Sequence, residues 1–164
     1  MFPYKYPGLM VVVGDKFPEL ESKSLSGKKV KIPDDLKGEI NLISVAFVRE
    51  AQAMLDSWIY PFQDMCEGKS AYELPMIDGY FWKIFSGFID EGMKAGIPER
   101  KHDYVVTYYG DTSKFKNKLG IKDKGLGYVY LLDKDGTIIW SGKGYADEKG
   151  LDEMAEHLRK ECTV

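Results

Sequence analysis

The chain has 164 residues, 44% of them hydrophobic and 30% charged, with a formal net charge of −3. That length suits one domain, able to bury roughly 70% of its unfolded surface without covalent staples. The charge is too small to call for nucleic acid or an acidic membrane as partner, and no run approaches the ~20 apolar residues of a transmembrane segment.

The opening Met-Phe-Pro-Tyr-Lys-Tyr-Pro-Gly is broken by Pro3 and Pro7, and Leu9–Val13 is too short for a signal core. The Arg- and Ser-rich character of a transit peptide is missing too, so the expected location is cytoplasmic. Two Asn and two Gln beside 20 Lys give a faintly thermophilic composition.

Residues 1–13 read as an arm or a short strand. Gly14-Asp-Lys-Phe-Pro-Glu-Leu20 leads into two short strands, Glu21–Leu25 and Lys28–Ile32, with Ser26-Gly27 in the turn. Pro33 and Gly38 close that unit. Ile40–Val48 is a nearly continuous apolar run, the pattern of a central strand covered on both faces. A helix should follow, because Ala51, Met54, Leu55, Trp58, Ile59, Phe62 and Met65 keep a 3.6-residue period. Pro61 should kink it or tighten its last turns.

Ala71–Ile77 reads as a short strand, and Pro75 argues for an edge position or an early end. Gly79–Ala95 reads as a second helix, stopped by Gly96 and Pro98. Tyr104–Tyr109 is a strand, with His102 at its opening. Ser113–Leu119 is a short helix after the cap candidates Asp111 and Thr112, closed by Gly120. Tyr128–Leu132 and Thr137–Ser141 flank Asp133-Lys-Asp-Gly136, a hairpin whose loop needs the positive φ of Gly136. Leu151, Met154, Ala155, Leu158 and Cys162 form one face of a last helix.

Alternating β and α units imply an α/β protein with parallel strands joined by right-handed crossovers. The terminal hairpin makes the central sheet mixed. The order resembles a thioredoxin-like fold, with helices flanking a mixed central sheet. The Gly-Asp-x-x-Pro-x-Leu opening resembles that of peroxiredoxin-like proteins, which begin with an N-terminal β-hairpin.

In thiol enzymes of that fold the nucleophile sits where the central strand meets the next helix, whose N-terminus stabilises the thiolate. Here the junction is Phe47-Val-Arg-Glu-Ala-Gln-Ala-Met54 and has no cysteine. Arg49, Glu50 and Gln52 occupy the corner instead, either as ordinary first-turn residues or as a seat for a small polar ligand. Thioredoxins also place a cis-proline before the hairpin, whereas Gly125-Leu-Gly127 stands there. Cys66 falls at the far end of the first helix and Cys162 on the apolar face of the last. Both read as small core residues or bystanders, and a bond between them depends on a Cα separation that sequence does not fix. His102 and His157 have no second ligand at metal spacing, so no metal and no cofactor is expected.

Tyr108-Tyr-Gly-Asp-Thr112, Leu119-Gly-Ile121, Gly127-Tyr-Val-Tyr-Leu131, Asp133, Trp140, Gly142, Gly144 and Ala146 resemble the C-terminal half of the mitochondrial ATP synthase assembly factors of the thioredoxin-like superfamily. Trp58, Pro61 and Phe62 resemble that family's Trp-x-x-Pro-Phe helix. The resemblance spans roughly residues 40–160. It implies a chaperone for a membrane subunit of the synthase, without thiol chemistry.

Three readings stand. The first is a redox-inactive protein that binds a protein partner, either a hydrophobic client segment or a second copy of itself. The second is a peroxiredoxin-like or thiol-dependent enzyme using Cys66. The third is a binder of a small polar ligand at Arg49 and Glu50. For the first, the helix Gly79–Ala95 is the expected partner surface. Phe81, Ile84, Phe85 and Phe88 supply one apolar stripe, and Tyr80, Trp82, Ile89 and Met93 leave a second.

Overall fold

A computed structural model describes residues 13–36, 38–67, 69–79 and 86–162. Strands β1 (Leu20–Ser24) and β2 (Lys29–Ile32) form the first hairpin. Strand β3 (Ile40–Ala46) runs into a 3₁₀ turn over Arg49–Ala51 and helix α1 (Gln52–Met65). Strand β4 (Ser70–Asp78), helix α2 (Ser86–Gly96), a 3₁₀ turn over Glu99–Tyr104 and strand β5 (Val106–Gly110) follow. Helix α3 (Ser113–Leu119), strands β6 (Tyr128–Asp133) and β7 (Ile138–Lys143) and helix α4 (Glu148–Leu158) complete the order.

The strands make one seven-stranded sheet in the order β2-β1-β5-β4-β3-β6-β7. β3, β4 and β5 are parallel, and β1, β2, β6 and β7 join them through antiparallel pairs. The sheet is therefore mixed, with the first hairpin extending it beyond β5.

Every residue of β3 from Ile40 to Val45 is buried, as a central strand covered on both faces requires. On one face, Ile40, Leu42, Val129, Leu131 and Trp140 pack against Leu55, Trp58 and Phe62 of α1 and Met154 and Leu158 of α4. On the other, Ile43, Val45, Leu74, Met76, Val106 and Tyr130 pack with Phe17 and with Phe115 of α3. The rings of Trp58 and Trp140 meet edge to face with centroids 5.2 Å apart.

Some expectations change. Pro75 does not mark an edge, because β4 lies between β3 and β5. The residue sits where pairing changes partner: the ladder with β3 ends at Pro75 and the ladder with β5 begins at Met76. β4 is accordingly longer than the run Ala71–Ile77. Pro61 lies inside α1, which continues to Met65 as the period predicts. His102 does not open a strand. It lies in the 3₁₀ turn, where its Nε2 is 2.8 Å from the Ile97 carbonyl oxygen, and β5 starts four residues later. Within Gly79–Ala95 the described helix is Ser86–Gly96, while Tyr80 to Phe85 lie outside the described residues, as does the arm up to residue 12.

The terminal hairpin is built by local chemistry. Asp133 Oδ1 accepts from the amides of Asp135 at 2.9 Å and Thr137 at 3.0 Å. Gly136 completes the turn at φ 82°.

Candidate functional site

Two segments meet at the start of α1: the β3–α1 junction and Gly125–Gly127. Gly127 is pressed against the helix. A Cβ at that position would lie 2.7 Å from Leu55 Cδ2 and 3.2 Å from the Ala51 carbonyl oxygen. The one cis peptide among the described residues is Ile32–Pro33, so the bonds around Gly127 are trans. The position where thioredoxins present a cis-proline to a substrate is here a trans glycine packed onto the helix.

The structure divides the expected corner. Arg49 and Glu50 stand exposed on the 3₁₀ turn, and neither joins an ion pair among the described residues. Gln52 turns to the sheet. Its Nε2 donates to Asp56 Oδ1 at 2.9 Å and to Glu73 Oε1 at 2.8 Å, joining two carboxylates that are one turn and one strand away.

Glu73 and Asp56 line an open cleft of about 300 Å³ between α1, the start of β4 and the 99–104 turn. Tyr60, Gln63, Arg100 and Lys101 also line it. Burial pushes the Glu73 carboxyl above its ordinary range. The Gln52 hydrogen bond opposes that rise, the Asp56 charge adds to it, and Lys101 pulls the other way. In register with Glu73 on β3 is Ser44, fully buried, whose hydroxyl has no partner among the described residues. The arrangement is a polar recess able to hold or release a proton at Glu73 and to offer cationic side chains at its rim.

Sequence reasoning passed over Glu73, Asp56 and Ser44. One signal for Glu73 was available: Tyr72, Leu74 and Met76 alternate onto one face of β4, which places Glu73 on the other, facing α1.

Helix α2 is tied to the sheet at two points. The Tyr109 hydroxyl donates to the Asp90 carboxylate, and Thr107 Oγ1 lies 3.5 Å from Met93 Sδ. Met93 and Ile89 are half-buried, with Met93 turned to β5. Tyr80 and Trp82 lie outside the described residues.

The two cysteines are bonded. Cys66 closes the C-terminal end of α1 and Cys162 follows α4, with their Cα atoms 5.1 Å apart. Across the fourteen residues of α1, Cys66 is about 21 Å from the β3–α1 junction. Among the described residues, no cluster of His, Cys, Asp and Glu could hold a metal ion, and no helix is long and apolar enough to cross a membrane.

Residues 15–160 match the ATP10 protein family. The chain belongs to that family. No curated protein matches it. Among solved structures, the ATP10-family chain is similar to BsSco, a member of the Sco family of cytochrome c oxidase assembly proteins. The identity is 14% and the TM-score 0.57, covering 94% of this chain and 98% of that one. It is similar to the thioredoxin domain of a thiol-disulfide oxidoreductase from Bacteroides vulgatus, at 17% identity and TM-score 0.53, over 90% and 98% of the two chains. A peroxiredoxin-like protein from Aquifex aeolicus aligns at 13% identity and TM-score 0.52, over 93% and 89%. At such identities the likeness establishes a thioredoxin-like fold. This ATP10-family chain is thus of an assembly-factor family and carries that fold.

Proposed function

We propose that the protein is a redox-inactive assembly factor that engages a protein client, with a subunit of a membrane complex as the target class. The observation that carries this reading is the β3–α1 junction. Arg49 and Glu50 stand where thiol enzymes of this fold place their nucleophile, and the only two cysteines are joined at the opposite end of α1. Family membership supports the assembly role. The test is turnover of hydrogen peroxide and of insulin disulfides, with Cys66→Ser as control. Rates at buffer level are expected, and turnover that Cys66→Ser abolishes would overturn the proposal in favour of a Cys66-dependent enzyme.

If the protein works in the cytoplasm, its disulfide is expected only where the cell interior tolerates such bonds, as in hyperthermophiles. The scarcity of Asn and Gln points the same way.

A second reading is favoured by the cleft. Glu73, Asp56 and Gln52 are preassembled, and the Ser44 hydroxyl on the neighbouring strand has no partner among the described residues. This recess suits a small polar ligand, or a polar side chain of the client, better than the exposed Arg49 and Glu50 do.

A further inference from the structure

Two cysteines in a chain of 164 residues, 96 positions apart, meet with Cα atoms 5.1 Å apart. Their surroundings differ. Cys66 is 2% exposed and sits in the apolar cluster with Phe62 and Leu158. Cys162 packs against the edge of that cluster, half-exposed, in the turn that follows α4, its amide bonded to the Leu158 carbonyl. An attacking thiolate must reach the sulfur it attacks, and Cys162 is the more exposed of the two residues.

We propose that Cys66–Cys162 is a structural bond, without turnover on any substrate, that is made and opened in a fixed direction: Cys162 is the sulfur through which the bond is made and opened, Cys66 is the interior partner, and the reagent is a dithiol–disulfide carrier. In opening, one carrier thiolate attacks Cys162 Sγ. A carrier–Cys162 bond forms as the Cys66–Cys162 bond breaks, and Cys66 leaves as a thiolate that takes up a proton. The second carrier thiol then attacks its own sulfur and releases Cys162 as a thiolate. Two electrons pass from carrier to protein, and the carrier ends as its disulfide. Closure is the reverse, with the oxidised carrier as disulfide donor.

The apolar setting of Cys66 makes it a poor leaving group, because it would depart as a charge formed within the apolar cluster. The same asymmetry therefore gives an accessible entry and a slow exit. That suits a bond made once, during maturation, and then kept to hold α4 against α1.

The experiment compares single thiols. Cys66→Ser leaves only Cys162, and Cys162→Ser leaves only Cys66. Each is reacted with 5,5′-dithiobis(2-nitrobenzoate) while near-ultraviolet circular dichroism reports the tertiary fold. Cys162 is expected to react at least about tenfold faster. Equal rates, or a faster Cys66, in folded protein would overturn the direction. Should either variant lose its fold, wild-type protein is treated with limiting glutathione, quenched in acid and alkylated, and the mixed disulfide mapped by mass spectrometry. An adduct at Cys162 supports the proposal and one at Cys66 overturns it. Protein taken from the native host into acid and alkylated is expected to carry the bond, and two alkylated cysteines there would overturn its role in the mature protein.

Discussion

At the scale of single residues, Gly136 is constrained by backbone conformation and by space together. Its φ of 82° is one that β-branched residues resist, and a Cβ there would stand 2.7 Å from Pro33 Cγ and 2.9 Å from Pro33 Cβ. Strain and overlap act together, so Gly136→Val should cost at least about 2 kcal/mol. An unchanged urea midpoint would contradict that. Glu73 makes a different prediction. Its carboxyl has a folded pKa above the 4.5 of an ordinary glutamate. The unfolded chain therefore loses this proton first, and the group's contribution to stability is fullest below pH 4.5 and declines as pH rises through the folded value. Glu73→Gln stays neutral and can still accept from Gln52. Its urea midpoint, measured from pH 4 to pH 8, should fall less with rising pH than that of the wild type.

At the scale of elements, the docking of α4 on α1 centres on Trp58. Its indole Nε1 donates to the Gly144 carbonyl at 2.8 Å, and Ser57 Oγ accepts from the Ala146 amide at 2.9 Å, so the chain entering α4 is latched to α1. Gly150, inside α4, lies under the same ring: a Cβ there would be 2.5 Å from Trp58 Cη2. Alanine is the better helix former by about 1 kcal/mol. Gly150→Ala should nonetheless destabilise the protein by about 1–3 kcal/mol, because the ring has to move. A rise in the denaturation midpoint would show that α4 shifts freely on α1. Legibility followed the same division between local and distant causes. The Asp133–Gly136 turn, the β3 run and the period of α1 were readable because each is written in adjacent residues. Pro75 misled because tolerance of a proline depends on which strand pairs with which half of β4, and that is decided 30 residues away at β5.

At the scale of the whole molecule, what remained illegible was whatever several elements make together. The cleft joins α1, β4 and the 99–104 turn, and the Cys66–Cys162 bond joins the ends of two helices. Neither can be read from spacing within one segment. The proposed partner surface belongs to this scale as well. For the stripe of Tyr80, Trp82, Ile89 and Met93, Trp82→Ala should weaken client capture or self-association by at least about tenfold. The thermal midpoint should stay nearly unchanged. Sedimentation velocity and pull-down from the native host read the first quantity and calorimetry the second. A Trp82 fluorescence that is blue-shifted and protected from quencher in dilute monomer would count against that surface.

The bond between Cys66 and Cys162 also turns most of the protein into a closed ring. Everything from β4 through α4 lies inside it, a covalent loop 96 positions long. A force that pulls on the chain from either side of the bond can draw out none of those elements while the bond stands, where an open chain would give up about 320 Å of backbone. An unfolding machine that reaches Cys162 along a single strand must from there pass two strands abreast.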